Sequence, residues 1–262
     1  MKIITIGTLK GGTGKTTATF NLAGMLAEKH RVLLIDLDPQ CNLSTNTGID
    51  VTADDLKTSK NIFEGTARLQ DVIYKNPVEN LPRLNVIPSS IHLTATELRI
   101  VSLAGREQIF SNFILDNRAE LEANYDYLIA DTNPSMSMIN QNAFLAADSI
   151  VLISDVSLNG IQGAELFTAL WENVRKQMRK ADNIKALIIN NYDKRIKLSS
   201  ELLDYCRENE GISRLLVNTV IPASVKIKET ELEHTPISTT GNIILSGIFK
   251  AIINELKDKG VL

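Results

Sequence analysis

The eleven residues Gly-Thr-Leu-Lys-Gly-Gly-Thr-Gly-Lys-Thr-Thr, at 7–17, constrain the fold more than any other part of the chain. They follow the apolar run Ile3–Ile6 and precede a helical pattern with Phe20, Leu22, Ala23, Leu26 and Ala27 on one face. A glycine loop between a strand and a helix N-terminus turns backbone N–H groups and the positive end of the helix toward a phosphate. Gly11, Gly12 and Gly14 permit the close approach, with Thr13 between them and Thr17 at the helix start. Lys15 supplies a point charge for β- and γ-phosphates, and the Thr16 hydroxyl can ligate Mg²⁺. The common spacing, G-x-x-x-x-G-K-[ST], would start at residue 9, which is Leu9; Gly7 stands seven positions before Gly14. The loop is therefore a variant of that pattern, and it carries a second lysine, Lys10.

Further short runs are apolar almost continuously: Val32–Ile35, Leu84–Ile87, Tyr127–Ala130, Ile150–Ile153, Lys185–Ile189 and Leu215–Val220. Such runs read as parallel strands covered on both faces. Helical patterns separate most of them, one marked by Leu166, Leu170, Val174 and Met178. This alternation predicts an α/β fold with a mostly parallel, twisted sheet of about seven or eight strands. The segment Asp50–Leu81 is the least regular and is expected to hold a helix or two before the third strand. With no linker, repeat or low-complexity stretch, residues 1–262 are expected to form one domain.

Composition narrows the function. The net charge of −3 excludes a uniformly basic nucleic-acid binder but leaves room for a local basic patch. Two cysteines, Cys41 and Cys206, fit a reducing cytosol rather than a disulfide framework. No run approaches the roughly 18–20 apolar residues of a membrane span, and the N-terminus lacks a signal-peptide pattern.

Lys-Gly-Gly-Thr-Gly-Lys-Thr-Thr at 10–17 resembles the deviant Walker A motif of the ParA/MinD family of ATPases, whose signature lysine matches Lys10. Three more motifs follow in order. Val32–Asn42 looks like the family's second motif, Tyr125–Ser135 like its Walker B strand, and Asn142–Asp148 with Ile221-Pro222, Glu229 and Thr235-Pro236-Ile237 like the small ParA-type, Soj-like, partition branch. The resemblance spans essentially the whole chain and implies a single-domain P-loop NTPase fold with helices on both faces of the sheet. Two positions depart from the family's pattern: Cys41 stands where Gly is usual and Asn133 where the first Pro of Asp-x-Pro-Pro is usual. Both bear on the rate and coupling of hydrolysis more than on nucleotide binding. No extension precedes the first strand, so the operator-binding arm of larger ParA proteins is not expected.

The resemblance assigns roles to these residues. Lys10, Lys15 and Asp38 would be catalytic, with Asp38 orienting the attacking water. Thr16, Asp36 and Asp131 would serve Mg²⁺, Asp36 in a water-bridged or supporting role and Asp131 as the Walker B carboxylate. The carboxyl ends of parallel strands, where Asp36 and Asp131 fall, are where such sheets hold ligands. Asn190-Asn191-Tyr192-Asp193 lacks the lysine of the guanine motif Asn-Lys-x-Asp, which favours adenine. By resemblance Asn190, Pro222 and Ala223 would hold the base. Lys194, Arg195 and Lys197 form one basic cluster and Lys226 with Lys228 another; in ParA relatives, basic residues in these regions bind DNA without sequence preference. The implied cofactors are ATP and Mg²⁺. The implied partners are a second copy when ATP is bound, non-specific DNA and a ParB-like or small centromere-binding protein, in a cytoplasmic, nucleoid-associated setting.

Three other readings stay open. A MinD-like membrane-cycling ATPase would use the amphipathic tail Ile243–Leu256, where Ile244, Leu245, Ile248, Phe249, Ile252, Ile253 and Leu256 share a face. The mixed charge of that tail favours packing on the sheet over membrane contact. A cluster carrier of the nitrogenase iron-protein type needs paired cysteines that Cys41 and Cys206 do not provide. A module that holds ATP without turnover is the third, with Lys15, Asp38 and Asp131 against it and Cys41 and Asn133 in its favour.

Overall fold

The computed structural model describes residues 1–53 and 55–262. Its apolar runs are strands because helices cover them from both sides. β1 (Lys2–Gly7), β2 (Val32–Asp36), β3 (Tyr74–Lys75), β4 (Leu84–Ile87), β5 (Tyr127–Asp131), β6 (Ser149–Asp155) and β7 (Ile184–Asn190) form one sheet. Its order is β3-β4-β2-β5-β1-β6-β7. Every pairing is parallel except β3 with β4. The helices are α1 (Lys15–Ala27), α2 (Asn42–Asn46), α3 (Ser59–Phe63), α4 (Leu69–Val72), α5 (Leu93–Ile100), α6 (Ile109–Asp116) and α7 (Arg118–Asn124). They continue as α8 (Met138–Ala146), α9 (Leu158–Gln177), α10 (Lys197–Glu208), α11 (Glu210–Ser213), α12 (Val225–Leu232) and α13 (Ile243–Asp258).

Successive residues of β2 show how the layers are made. Val32 and Leu34 pack toward α1, α12 and α13, while Leu33 and Ile35 pack toward α3–α8. Past β1, the sheet is covered by α9–α11 through Ile161, Phe167, Trp171, Leu203 and Ile212. The expected α/β architecture, mostly parallel with helices on both faces, is the one observed.

Three expectations need correction, and a fourth, for Asp50–Leu81, is met and extended. Leu215–Val220 is not a regular strand: it touches β7 through a bridge at Leu216, and a second bridge joins Pro222 to Tyr192. The reason is a competing acceptor, because the Glu255 carboxylate takes the N–H groups of Asn218 (2.6 Å) and Thr219 (2.9 Å). The irregular Asp50–Leu81 segment holds α3 and α4 as expected, and also the antiparallel edge strand β3, too short to show a pattern; its Asp54 lies outside the described residues. The helix read from Leu166 and Leu170 is α9, but it is rotated: Leu166 is 54% exposed, and Phe167 and Trp171 face the sheet instead. The two aromatics pack edge-to-face on Phe144 at 5.1 and 5.6 Å, burying more apolar surface than the leucines could. On α13, Leu245, Phe249, Ile252, Ile253 and Leu256 are buried, whereas Ile244 is 78% exposed. No described helix is long and apolar enough to cross a membrane.

Candidate functional site

The sheet register builds the site. Asp131, at the end of β5, lies opposite Ile6 of β1 on one side and Asp36 of β2 on the other. The loop after β1 then closes over these strand ends and enters α1. Gly14 is the N-cap residue of α1 with φ +73°, a left-handed conformation natural to glycine. A Cβ there would also fall 2.2 Å from Asn190 Nδ2. No side chain caps α1 and its first turn has no acidic residue, so its N–H groups and dipole remain available to an anion. The loop borders a cavity of about 380 Å³ whose walls include Lys10, residues 11–17, Asp38 and Pro134.

Lys15 is almost fully buried, and its Nζ lies 2.6 Å from Asp131 Oδ1. Thr16 Oγ1 donates to Asp131 Oδ2 at 2.7 Å and Thr19 Oγ1 to Oδ1 at 2.9 Å. Asp131, 0% exposed, therefore holds both the lysine and the threonine of the motif in place. Asp36 is equally buried and does not border the cavity. It accepts from the Ser44 amide (2.9 Å) and hydroxyl (2.7 Å) and from the Asp38 amide (3.0 Å), tying α2 and the Asp38 backbone to the sheet. Asp38 does reach the cavity, its Oδ1 accepting from the Gln40 amide at 2.9 Å. Burial raises its carboxyl above the ordinary carboxylate range, and Lys15 acts in the opposite direction.

Burial, with the charge of Asp131 beside it, pushes the Asp36 carboxyl up to about 7, against the pull of its three hydrogen bonds. An unfolded carboxyl titrates near 3.9, so the folded state binds this proton more tightly. The stability it contributes is present below pH about 4 and is lost as the pH rises through about 7. Urea unfolding of the metal-free, nucleotide-free protein should show Asp36→Asn gaining on the wild type between those limits. A difference between the two that does not change with pH would contradict a native proton on Asp36.

Lys10 sits at the rim of the cavity. Its Nζ is 2.5 Å from Asp155 Oδ2 and 2.9 Å from Ser157 Oγ. Asp155 ends β6 and Ser157 caps α9, its hydroxyl donating to Asp155 Oδ1 at 2.9 Å and accepting from the Gly160 amide at 3.0 Å. Gly160 is required there, since a Cβ would lie 2.2 Å from Asp155 Oδ1. Sequence reading missed Asp155, although its place at the carboxyl end of a parallel strand was a usable signal.

The remaining expected residues scatter. Asn190 is buried and its Nδ2 donates to the Thr13 carbonyl (2.7 Å), so it braces the phosphate loop from below. Pro222 lies beside the loop after β7 through its bridge to Tyr192, and the Ala223 amide donates to the Tyr192 carbonyl. Neither borders the cavity. In the first basic cluster Arg195 pairs with Asp193 at 2.6 Å and Lys197 with Glu201 at 3.4 Å, leaving Lys194 with no ion pair among the described residues. In the second, Lys226 pairs with Glu229 at 2.7 Å, and Lys228 on the same helix has no ion pair among the described residues. These pairs are solvent-exposed and weak. The two departures from the family's pattern are both built in. Cys41 takes φ +57°, where glycine would be unstrained, and burial pushes its thiol up to about 12, which keeps it unreactive. Asn133 Oδ1 accepts from Asn140 Nδ2 at 2.8 Å, joining the loop after β5 to α8.

Among the described residues no three His, Cys, Asp or Glu side chains converge as a metal cage. Mg²⁺ is ordinarily held by one or two protein oxygens plus phosphates and water, and Thr16 Oγ1 is placed to be one. A strand, a glycine loop and a helix N-terminus around one buried lysine, closed below by neighbouring strand-end carboxylates, define a P-loop nucleotide-binding protein. The chain belongs to the AAA_31 family, whose profile, described as an AAA domain, matches residues 1–186, and it is of the ParA/MinD type. The sporulation initiation inhibitor protein Soj of Bacillus subtilis is 32% identical over 241 residues, covering 90% of each chain. The chromosome partitioning protein ParA of Caulobacter vibrioides is 31% identical over 240 residues, covering 90% of this chain and 86% of ParA. Among solved structures, a complex of a Cyanothece McdA variant with ATP superposes with a TM-score of 0.86 at 23% identity, covering 98% of this chain and 96% of that one.

Proposed function

We propose that residues 1–262 form one ParA-type partition ATPase domain, which binds and hydrolyses ATP with Mg²⁺. The ATP-bound form closes into a homodimer, binds DNA without sequence preference and is released when a ParB-like or small centromere-binding partner stimulates hydrolysis. Its setting would be cytoplasmic and nucleoid-associated. The observation that carries this reading is the pair of lysines at one cavity. Lys15, buried on Asp131, serves the nucleotide of its own subunit. Lys10 stands at the rim on Asp155 and Ser157, free to serve a facing one. The likeness to Soj and ParA supports the same reading.

Within it, Mg²⁺ would neutralise charge between the β- and γ-phosphates. Thr16 would offer its hydroxyl as a ligand, held by Asp131, and Asp38 would orient the water from inside the cavity. Asp36 would act by positioning, since it fixes the Asp38 backbone rather than bordering the cavity. A MinD-like membrane role is less favoured, because α13 packs much of its apolar face into the core.

Duplex DNA of arbitrary sequence tests the proposal by fluorescence anisotropy. Binding is expected with ATP and not with ADP, and log affinity should fall linearly with log salt by about 0.9 per phosphate contacted. Replacing Lys226 and Lys228 together, or Lys194, Arg195 and Lys197 together, should weaken it and flatten the slope with ATP affinity intact. Binding indifferent to nucleotide or to salt would refute the partition reading.

A further inference from the structure

One acidic residue in the cavity has no part in the phosphate chemistry. Glu231, on α12, borders the same space as the phosphate loop, and Thr17 Oγ1 donates to its Oε1. Its Oε2 has no hydrogen bond among the described residues. Asn46, the last residue of α2, lines the same cavity, is 7% exposed, and its side-chain amide has no hydrogen bond among the described residues. A carboxylate beside a polyphosphate is repelled by it, so an acid here calls for a ligand portion that donates hydrogen bonds.

The direction of the loop says which portion that is. Lys15 reaches the β- and γ-phosphates while the loop and first-turn amides cradle the α- and β-phosphates. Thr17 lies past Lys15 and Thr16, at the α-phosphate end, and the sugar is attached to the α-phosphate. A ribose presents two neighbouring hydroxyls, each both donor and acceptor. An ionised carboxylate only accepts, and a carboxamide does both. Glu231 and Asn46 together match that pair, and acidic side chains on a ribose 2′-hydroxyl are an established way of reading a sugar.

We propose that Glu231 and Asn46 form the ribose-reading end of the cavity and make it selective for ribonucleotides over deoxyribonucleotides. The proposal rests on the reading of the cavity as an ATP site. Through Thr17, Glu231 also fixes α12 to the start of α1, so the acceptor is held at a set distance from the phosphates.

The test is calorimetric affinity with Mg²⁺ for ATP, 2′-deoxy-ATP and 3′-deoxy-ATP, measured on the wild type, Glu231→Gln and Asn46→Ala. Thermal unfolding checks that each variant is folded. A hydrogen bond to a charged acceptor that one ligand cannot make corresponds to about a tenfold or greater preference. The wild type should therefore favour ATP over at least one deoxy analogue by about that factor. Glu231→Gln should bring ATP down toward the analogue while leaving the analogue's affinity unchanged, and Asn46→Ala should narrow the ratio in the same direction. Equal affinities in the wild type would overturn the ribose assignment while leaving the ATP site standing. So would a gain by Glu231→Gln for all three nucleotides, which would make the acid a repulsive gate. Binding of none of the three by the wild type would overturn the ATP reading, and this assignment with it.

Discussion

Lys15→Ala is expected to lose measurable ATP affinity and to unfold at markedly lower urea than the wild type. Both effects come from one ion pair. Lys15 is the buried cation at the base of the phosphate loop, and its charge is what the loop offers β- and γ-phosphates beyond amides and dipole. Its removal also strands Asp131, which is 0% exposed and keeps only hydroxyl donors from Thr16 and Thr19. Breaking a buried pair by deleting one partner typically costs about 3–5 kcal/mol. That is a large part of the roughly 5–15 kcal/mol by which domains are stable. The two effects separate in the double variant Lys15→Met with Asp131→Asn, which removes the stranded charge. It should recover most of the stability and none of the affinity. Calorimetry showing undiminished ATP binding by Lys15→Ala would end the assignment of this loop.

Lys10→Ala should behave in the opposite way, folding normally and binding ATP but remaining a monomer. Its ion pair with Asp155 is partly solvated on both sides, with side-chain exposures of 30% and 21%. Pairs of this kind contribute about 1 kcal/mol or less, so the fold survives the change. The consequence lies between subunits. In a facing dimer each Lys10 would leave Asp155 and Ser157 for the partner's phosphates and offset the repulsion between two ATP-loaded sites. Charge-assisted contacts contribute about 1.5–3 kcal/mol each. With two per dimer, assembly should weaken by about two to four orders of magnitude. Light scattering with ATP and Mg²⁺ reads this directly, and DNA binding should disappear with the dimer. Wild-type dimerisation by the variant would remove the trans role of Lys10 and the switch built on it.

The phosphate loop was legible from the chain because its requirements are local. Gly12 and Gly14 take left-handed backbone angles, and Lys15 and Thr16 follow at once on the same helix turn. The strands were legible for a related reason: covered on both faces, they are apolar at every position rather than at every second one. Local pattern failed where neighbours competed for one surface. On α9 the leucines at 166 and 170 and the aromatics at 167 and 171 have the same helical spacing, and only the ring of Phe144 across the interface selects the aromatics. Leu215–Val220 carries a strand's composition, yet the carboxylate of Glu255, distant in sequence, takes the amides of Asn218 and Thr219, and the second of these is the one a strand would have given to β7.

From residue types and short spacings came the fold class, the nucleotide loop and Lys15, while the resemblance to the ParA/MinD family singled out Lys10, Asp36, Asp38 and Asp131. Their relations came from strand order. Because β5 inserts between β1 and β2, Asp131 meets Lys15 and stands beside Asp36, where it adds to the burial that raises the Asp36 carboxyl. Because β6 follows β1 on its other side, Asp155 meets Lys10 across 145 residues; the packing of α12 on α1 brings Glu231 to Thr17 across 214. Periodicity records which face of an element is apolar. It does not record which element lies next to it, and the charges at this site act through neighbours of that kind.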